Sequence, residues 1–161
     1  MISPKTNNGR GFKAKVMTLF MVLALTGFGF SRSAWAGGDK GPCPQPRKTK
    51  SAPANLLKAS SPASASVEEG KKIFEKSAKP MACKMCHGSE GNGAGKLGKA
   101  LKPQPRNFTC SDTMKHVSPG QMYWIIKNGS KGTGMVAHGK TLKDKQIWDV
   151  VKYIETKFVK R

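Results

Sequence analysis

The 161 residues suffice for one domain of ordinary size with extra segments in front of it. Lys and Arg number 29 against nine Asp and Glu, a net charge of +20, and such a field attracts acidic surfaces. Nucleic acid is the usual partner of so basic a chain, and the first thirty-odd residues argue against it. Lys5, Arg10, Lys13 and Lys15 make a positive leading region, Val16 to Phe30 an apolar run, and Ala34-Trp35-Ala36 a small-x-small cleavage site, the order of parts in a secretory signal. The apolar run is shorter than the roughly 20 residues that a spanning helix needs. Residues 1–36 are therefore expected to be a signal peptide cleaved after Ala36, with no stable membrane span afterwards; an uncleaved anchor is the alternative. From Gly37 onward 24 basic residues face nine acidic ones, still a net +15. The expected compartment is the periplasm, which leaves no nucleic acid to bind.

Residues 37–65 turn to Pro, Ser, Ala and Lys, as in Pro42-Cys43-Pro44-Gln45-Pro46 and Ser60-Ser61-Pro62-Ala63-Ser64. Apart from Leu56 and Leu57 there is little large apolar side chain to bury, so this stretch reads as a flexible tether. Cys43 either pairs with Cys110, pinning the tether to the domain in an oxidising compartment, or stays free or cross-links to another molecule.

The folded domain is expected over 66–161. Ser66-Val67-Glu68-Glu69 fits a capping box, in which the serine hydroxyl takes a backbone donor and Glu69 reaches back. The helix then runs to about Ala78, with Pro80 beyond it, and Val67, Gly70, Ile73 and Phe74 share one face. Next comes Cys83-Lys84-Met85-Cys86-His87, the spacing of a covalent c-type haem attachment site. Two thiols three positions apart can add across the two vinyl groups of one porphyrin, and the following histidine can turn its imidazole onto the iron. Half of a zinc site and a thioredoxin-like redox pair are the competing readings. Zinc would need a second pair of ligands, and Cys43 and Cys110 are single and far apart.

Gly88 to Lys96 is rich in glycine, but the phosphate-loop order of Gly, four residues, Gly-Lys-Ser/Thr is absent. Small residues here suit a backbone that passes close to a porphyrin edge. Ser118-Pro119-Gly120-Gln121 starts a second short helix, which Asn128-Gly129 ends. Met122, Ile125 and Ile126 point inward, and Trp124 either covers a haem edge or packs in the core. Ile147, Val150, Val151 and Ile154 stripe a last helix that starts at Thr141 or Asp144.

Taken together, residues 66 to 159 resemble class I c-type cytochromes. The likeness rests on the Cys-x-x-Cys-His run, on the proline-containing Pro103-Gln104-Pro105-Arg106-Asn107-Phe108, and on the first and last helices, where Gly70 and Phe74 face Val150 and Tyr153. It also rests on Gly134-Met135-Val136-Ala137, with Val136 where proline is common. Ser77 to Ala82 makes a longer bridge to Cys83 than the shortest members have. The resemblance implies an all-α, cytochrome c-like fold wrapped around one covalent haem c. It implies thioethers at Cys83 and Cys86, His87 as the proximal iron ligand and Met135 as the distal one. It also implies a backbone carbonyl from Pro103 or Pro105 on the second ring nitrogen of His87, which fixes its orientation. Arg106 either pairs with a propionate or is a surface arginine. Met114 and His116 also remain in play for the sixth position, and His138 is the chief rival to Met135; two imidazoles would lower the reduction potential that Met/His ligation raises.

With both axial positions filled, the implied function is single-electron transfer between redox partner proteins with acidic docking surfaces. The edge of the haem is expected among Lys84, Lys96, Lys99 and Lys127, and no enzyme activity is expected of the chain alone. The alternative is a haem-binding enzyme subunit whose distal ligand dissociates.

Overall fold

The structure, a computed structural model, describes residues 40–45 and 49–160. The expected signal and its cleavage site at 1–36 lie outside the described residues. Among the described residues there are helices and loops and no strand, the expected all-α class. The helices are α1 (Ala54–Leu57), α2 (Val67–Lys72), α3 (Lys84–His87), α4 (Ser111–Met114), α5 (Pro119–Asn128) and α6 (Asp144–Lys157). A wider π turn, Ile73–Ser77, continues α2, and a 3-10 turn spans Gly98–Ala100. No helix among the described residues is long and apolar enough to cross a membrane.

The frame of the domain is the crossing of α2 and α6. Gly70 makes it possible: a Cβ there would fall onto the Asp149 carbonyl and lie 2.9 Å from Tyr153 Cβ. Only a residue without a side chain lets the two backbones approach this closely. Ile147, Val150, Val151 and Ile154 are buried along one face of α6, as their three- and four-residue spacing requires. They meet Ile73 and Phe74, and the Phe74 ring packs at 5.4 Å from Tyr153 and 5.5 Å from Phe158. The expected opposition of Gly70 and Phe74 to Val150 and Tyr153 is what the structure contains.

Both capping boxes form by half. Ser66 Oγ accepts from the Glu69 amide at 3.2 Å, but Glu69 turns to Lys72 at 2.7 Å. The Ser66 amide goes instead to the buried carboxylate of Asp149 at 2.7 Å, which Lys145 also meets at 3.0 Å. Ser118 Oγ caps α5 by accepting from the Gln121 amide at 3.1 Å. The Gln121 side chain, however, accepts from the Ala52 amide at 2.8 Å and donates to the Lys50 carbonyl at 2.9 Å. In each case a tertiary partner replaces the local one that the sequence offers. α6 starts at Asp144, with the Lys143 amide donating to Gln146 Oε1 at 2.9 Å.

Those Gln121 bonds also correct the expectation of a flexible tether over 37–65 for the part of it that is described, residues 40–45 and 49–65. Residues 49–65 lie on the domain: Ala52 is buried, α1 packs on α5 where Gly120 abuts the Leu56 carbonyl, and Ser61 Oγ donates to Glu155 at 2.6 Å. Cys43 and Cys110 form a disulfide with Cα atoms 5.5 Å apart. A segment poor in apolar residues is held here by amide hydrogen bonds and a covalent link, neither of which shows in hydropathy.

Candidate functional site

α3 is a single turn that carries Cys86 and His87, with Cys83 at its N-terminal flank. The turn is closed by the His87 amide donating to the Cys83 carbonyl at 2.9 Å, which puts both sulfurs and the imidazole at one cavity wall. Gly98 sits directly behind it, where a Cβ would overlap the Cys86 carbonyl and touch Pro105 Cγ at 3.0 Å. Gly95 likewise lies against the carbonyls of Lys84 and Met85. The glycines after His87 thus let chain pack on chain at the back of the turn, a reason for their smallness other than the expected porphyrin edge.

The cavity comprises about 1110 Å³ of space between atoms, counted out to its solvent-open mouth. Its lining includes Cys83, Cys86, His87 and Met135, so one space brings together all four expected site residues. The remaining wall is mainly apolar, with Leu101, Met122, Ile125, Ile126, Val150 and Ile154 drawn from α5, α6 and the loops. Met114 lines it as well and is fully buried in the core, while His116 is exposed and outside the lining. Trp124 does not line it and is not part of the core cluster; it lies half-buried with the Lys50 ammonium 6.0 Å from its ring, so neither of its two expected places, haem edge or core, is the one it takes.

His87 is held on two sides. Its ring stacks on Phe108, centroids 4.6 Å apart and planes 14° from parallel, and Phe108 stacks in turn toward Phe158 at 6.3 Å. Nδ1 lies 3.0 Å from the Arg106 carbonyl oxygen. The acceptor is therefore Arg106 and not Pro103 or Pro105; the prolines shape the segment, and the next residue's carbonyl does the orienting. A carbonyl there makes Nδ1 the protonated nitrogen, so a metal in the cavity would be met by Nε2. The Arg106 guanidinium reaches Gln45 Oε1 at 3.4 Å.

The opposite loop hangs from the end of α5. Gly129, with φ +73°, ends the helix, and the chain returns so that the Ser130 amide meets the Met135 carbonyl at 3.0 Å. The Met135 amide donates to Thr133 Oγ1 at 3.1 Å, and the His138 amide to the Ile126 carbonyl at 2.9 Å. Met135 is half-buried against the core. His138 is buried and lines the same cavity, its Nδ1 without a hydrogen-bond partner. Burial lowers its pKa from the usual value, against a smaller opposing pull from the Lys79 backbone, so the ring is neutral at pH 7.

The thiols bear on the competing readings. Burial pushes the Cys83 thiol up to about 12, and raises that of Cys86 as well. A thioredoxin-type pair needs a thiol depressed toward thiolate, the reverse of this environment. Among the described residues no group of three or more His, Cys, Asp and Glu stands close enough to hold a metal ion. What the site does fit is a largely apolar macrocycle: a mainly apolar cavity whose lining includes two thiols and an imidazole oriented by a backbone carbonyl.

The family model for cytochrome c matches residues 67–157. Comparison with curated proteins finds no match. Among solved structures, a chain of the reducing HAO-like protein complex of Kuenenia stuttgartiensis is similar at 26% identity, over 69% of this chain and 50% of that one, with a TM-score of 0.49. The present chain thus spans half the length of that relative.

Proposed function

The chain belongs to the cytochrome c family, haem-binding electron-transfer proteins that hold haem c covalently, and from that premise we propose that it is a periplasmic monohaem electron carrier with Met/His-ligated iron. In this reading residues 1–36 are the export signal, Cys83 and Cys86 carry the thioethers, and His87 and Met135 are the axial ligands. The observation that carries it is the convergence of these four side chains on one apolar cavity, with His87 Nδ1 anchored at 3.0 Å on the Arg106 carbonyl.

Bound haem c supplies a one-electron Fe(III)/Fe(II) couple. The residues of this chain do the rest. Arg106 and Phe108 fix the plane and tautomer of the His87 ring, which would leave Nε2 to hold the iron of a bound haem. The hydrogen-bonded return of loop 129–138 holds Met135 against the core and keeps its thioether from wandering. The mainly apolar wall would disfavour the charged form of the site, which together with a thioether ligand favours a high potential. With two protein ligands in place there is no open position for a substrate, so the chain is not an enzyme by itself.

Partners are redox proteins, and the basic surface, +15 beyond Gly37, selects those with acidic docking faces. Lys84 lies within the Cys-x-x-Cys-His turn, and Lys96 and Lys99 follow it in sequence. Lys127 is drawn to Asp144 at 2.7 Å and contributes less to such steering. The test is the spectrum of the purified protein beside that of Met135→His. The sulfur-to-iron band at the red edge is expected in the parent and not in the variant, and the variant's potential is expected to fall. Prompt, complete carbon monoxide binding to the reduced parent at neutral pH would instead indicate an open iron and the enzyme-subunit alternative.

A further inference from the structure

The geometry points to Gln45 as the positioning residue of the axial histidine: its side-chain amide clamps the two peptide groups flanking Arg106 and so aims the Arg106 carbonyl at His87. The inference deepens the reading above and rests on His87 as an iron ligand. Gln45 Oε1 accepts from the Asn107 amide at 3.1 Å, and Gln45 Nε2 donates to the Pro105 carbonyl at 2.8 Å. Between these two bonds lies the peptide that joins Arg106 to Asn107, whose carbonyl oxygen is 3.0 Å from His87 Nδ1.

That peptide is trans, so it is planar, with its N–H and C=O pointing in opposite directions. Holding the Asn107 N–H on one side therefore sets where the Arg106 oxygen points on the other. The same bond polarises the peptide and makes its carbonyl a stronger acceptor. Gln45 is itself anchored: its amide donates to Thr113 Oγ1 at 3.0 Å, and two residues before it Cys43 is joined to Cys110. Asn107 Nδ2 donates to the Gly41 carbonyl at 3.0 Å, which fastens the far end of the strap to the same segment. A stretch well before the haem turn in the chain thus governs the strength of the bond that tunes it.

A well-aimed carbonyl gives the imidazole partial anionic character, which favours oxidised iron and lowers the potential. In the haem-loaded full chain, Gln45→Ala is expected to shift the oxidised-to-reduced equilibrium at least threefold toward the reduced form. For a one-electron couple at 59 mV per tenfold, that is a rise of about 28 mV. The His87 Nδ1 proton resonance of the reduced protein is expected to move in the direction of a weaker hydrogen bond. Gln45→Glu keeps an oxygen for the Asn107 amide, and its potential is expected to return to the parent value or below it.

A Gln45→Ala protein that melts earlier but keeps the parent potential would overturn the inference and leave the strap as scaffold alone. Should that variant not fold, amide exchange of the parent decides: strong protection of the Asn107 amide supports the clamp, and exchange as fast as in an open loop overturns it. The two levels separate on the same sample, because a protein without covalent haem sinks the functional reading, whereas a haem-bearing one with an unmoved potential sinks only the role of Gln45.

Discussion

Removing the disulfide, by Cys43→Ala with Cys110→Ala, tests how the strap is fastened. The bridge spans 67 residues, and the chain-entropy relation for a loop of that length gives about 15 cal/mol/K, or about 4 kcal/mol at 25 °C. That figure is a ceiling, because the strap can come loose without the domain unfolding. Ordering residues 40–45 costs about 1–2 kcal/mol per residue. Against this stand the bonds of Gly41 to Asn92 and Asn107 and those of Gln45 to Thr113, Pro105, Arg106 and Asn107, each contributing about 1 kcal/mol net. The bonds match only the lower end of that cost, so the covalent link decides whether the strap stays down. The expected outcome in urea is a loss of about 2–4 kcal/mol. At about 2 kcal/mol/M, the middle of the usual range for urea, that moves the midpoint by roughly 1–2 M, and the Asn107 amide loses protection. A midpoint unchanged by the double substitution, with Asn107 still protected, would refute this reasoning.

Gly70→Ala places a methyl on the Asp149 carbonyl at the α2/α6 crossing; overpacking of this kind costs about 1–3 kcal/mol, read as a lower melting temperature with the haem spectrum retained. His138 is buried and its pKa is lowered in the folded protein, so as pH falls through about 6.5 the unfolded chain binds the proton first and stability drops toward the folded pKa. His138→Gln is expected to flatten that part of the stability-against-pH curve between pH 7 and 5, and an unaltered slope would show that other groups carry it. Electron transfer to an acidic partner is expected to slow as salt rises from 10 to about 150 mM, where the screening length falls from about 30 to about 8 Å; a rate indifferent to salt would leave the lysines as solvated surface.

The residues that sequence reasoning reached are those whose role is local or strictly spaced. The Cys83, Cys86 and His87 spacing, the start of α5 at Ser118 and its stop at Gly129 follow from short-range rules, and the Gly70 contact with α6 from the family resemblance. What escaped it depends on partners far along the chain. The Ser66 amide and the Gln121 side chain had a local bond on offer, and tertiary partners won. The carbonyl for His87 fell one residue past the second proline, because the turn geometry of 103–106 and not composition decides which oxygen faces the ring. Residues 49–65 looked like a tether since they lack apolar bulk, yet Gln121 and Ser61 bind them through amide and hydroxyl groups. Gln45, in a run of prolines, gave no signal at all; only its place beside Cys43 hinted that it would be pinned to the domain.

The central claim is that one porphyrin is bonded through sulfur to Cys83 and Cys86. Intact mass of the exported, purified protein after extraction with acidified organic solvent tests it most directly. The account predicts a coloured chain that keeps the added mass of one haem, confined to the peptide spanning residues 83–87. A colourless chain, or pigment that leaves with the solvent, would contradict it.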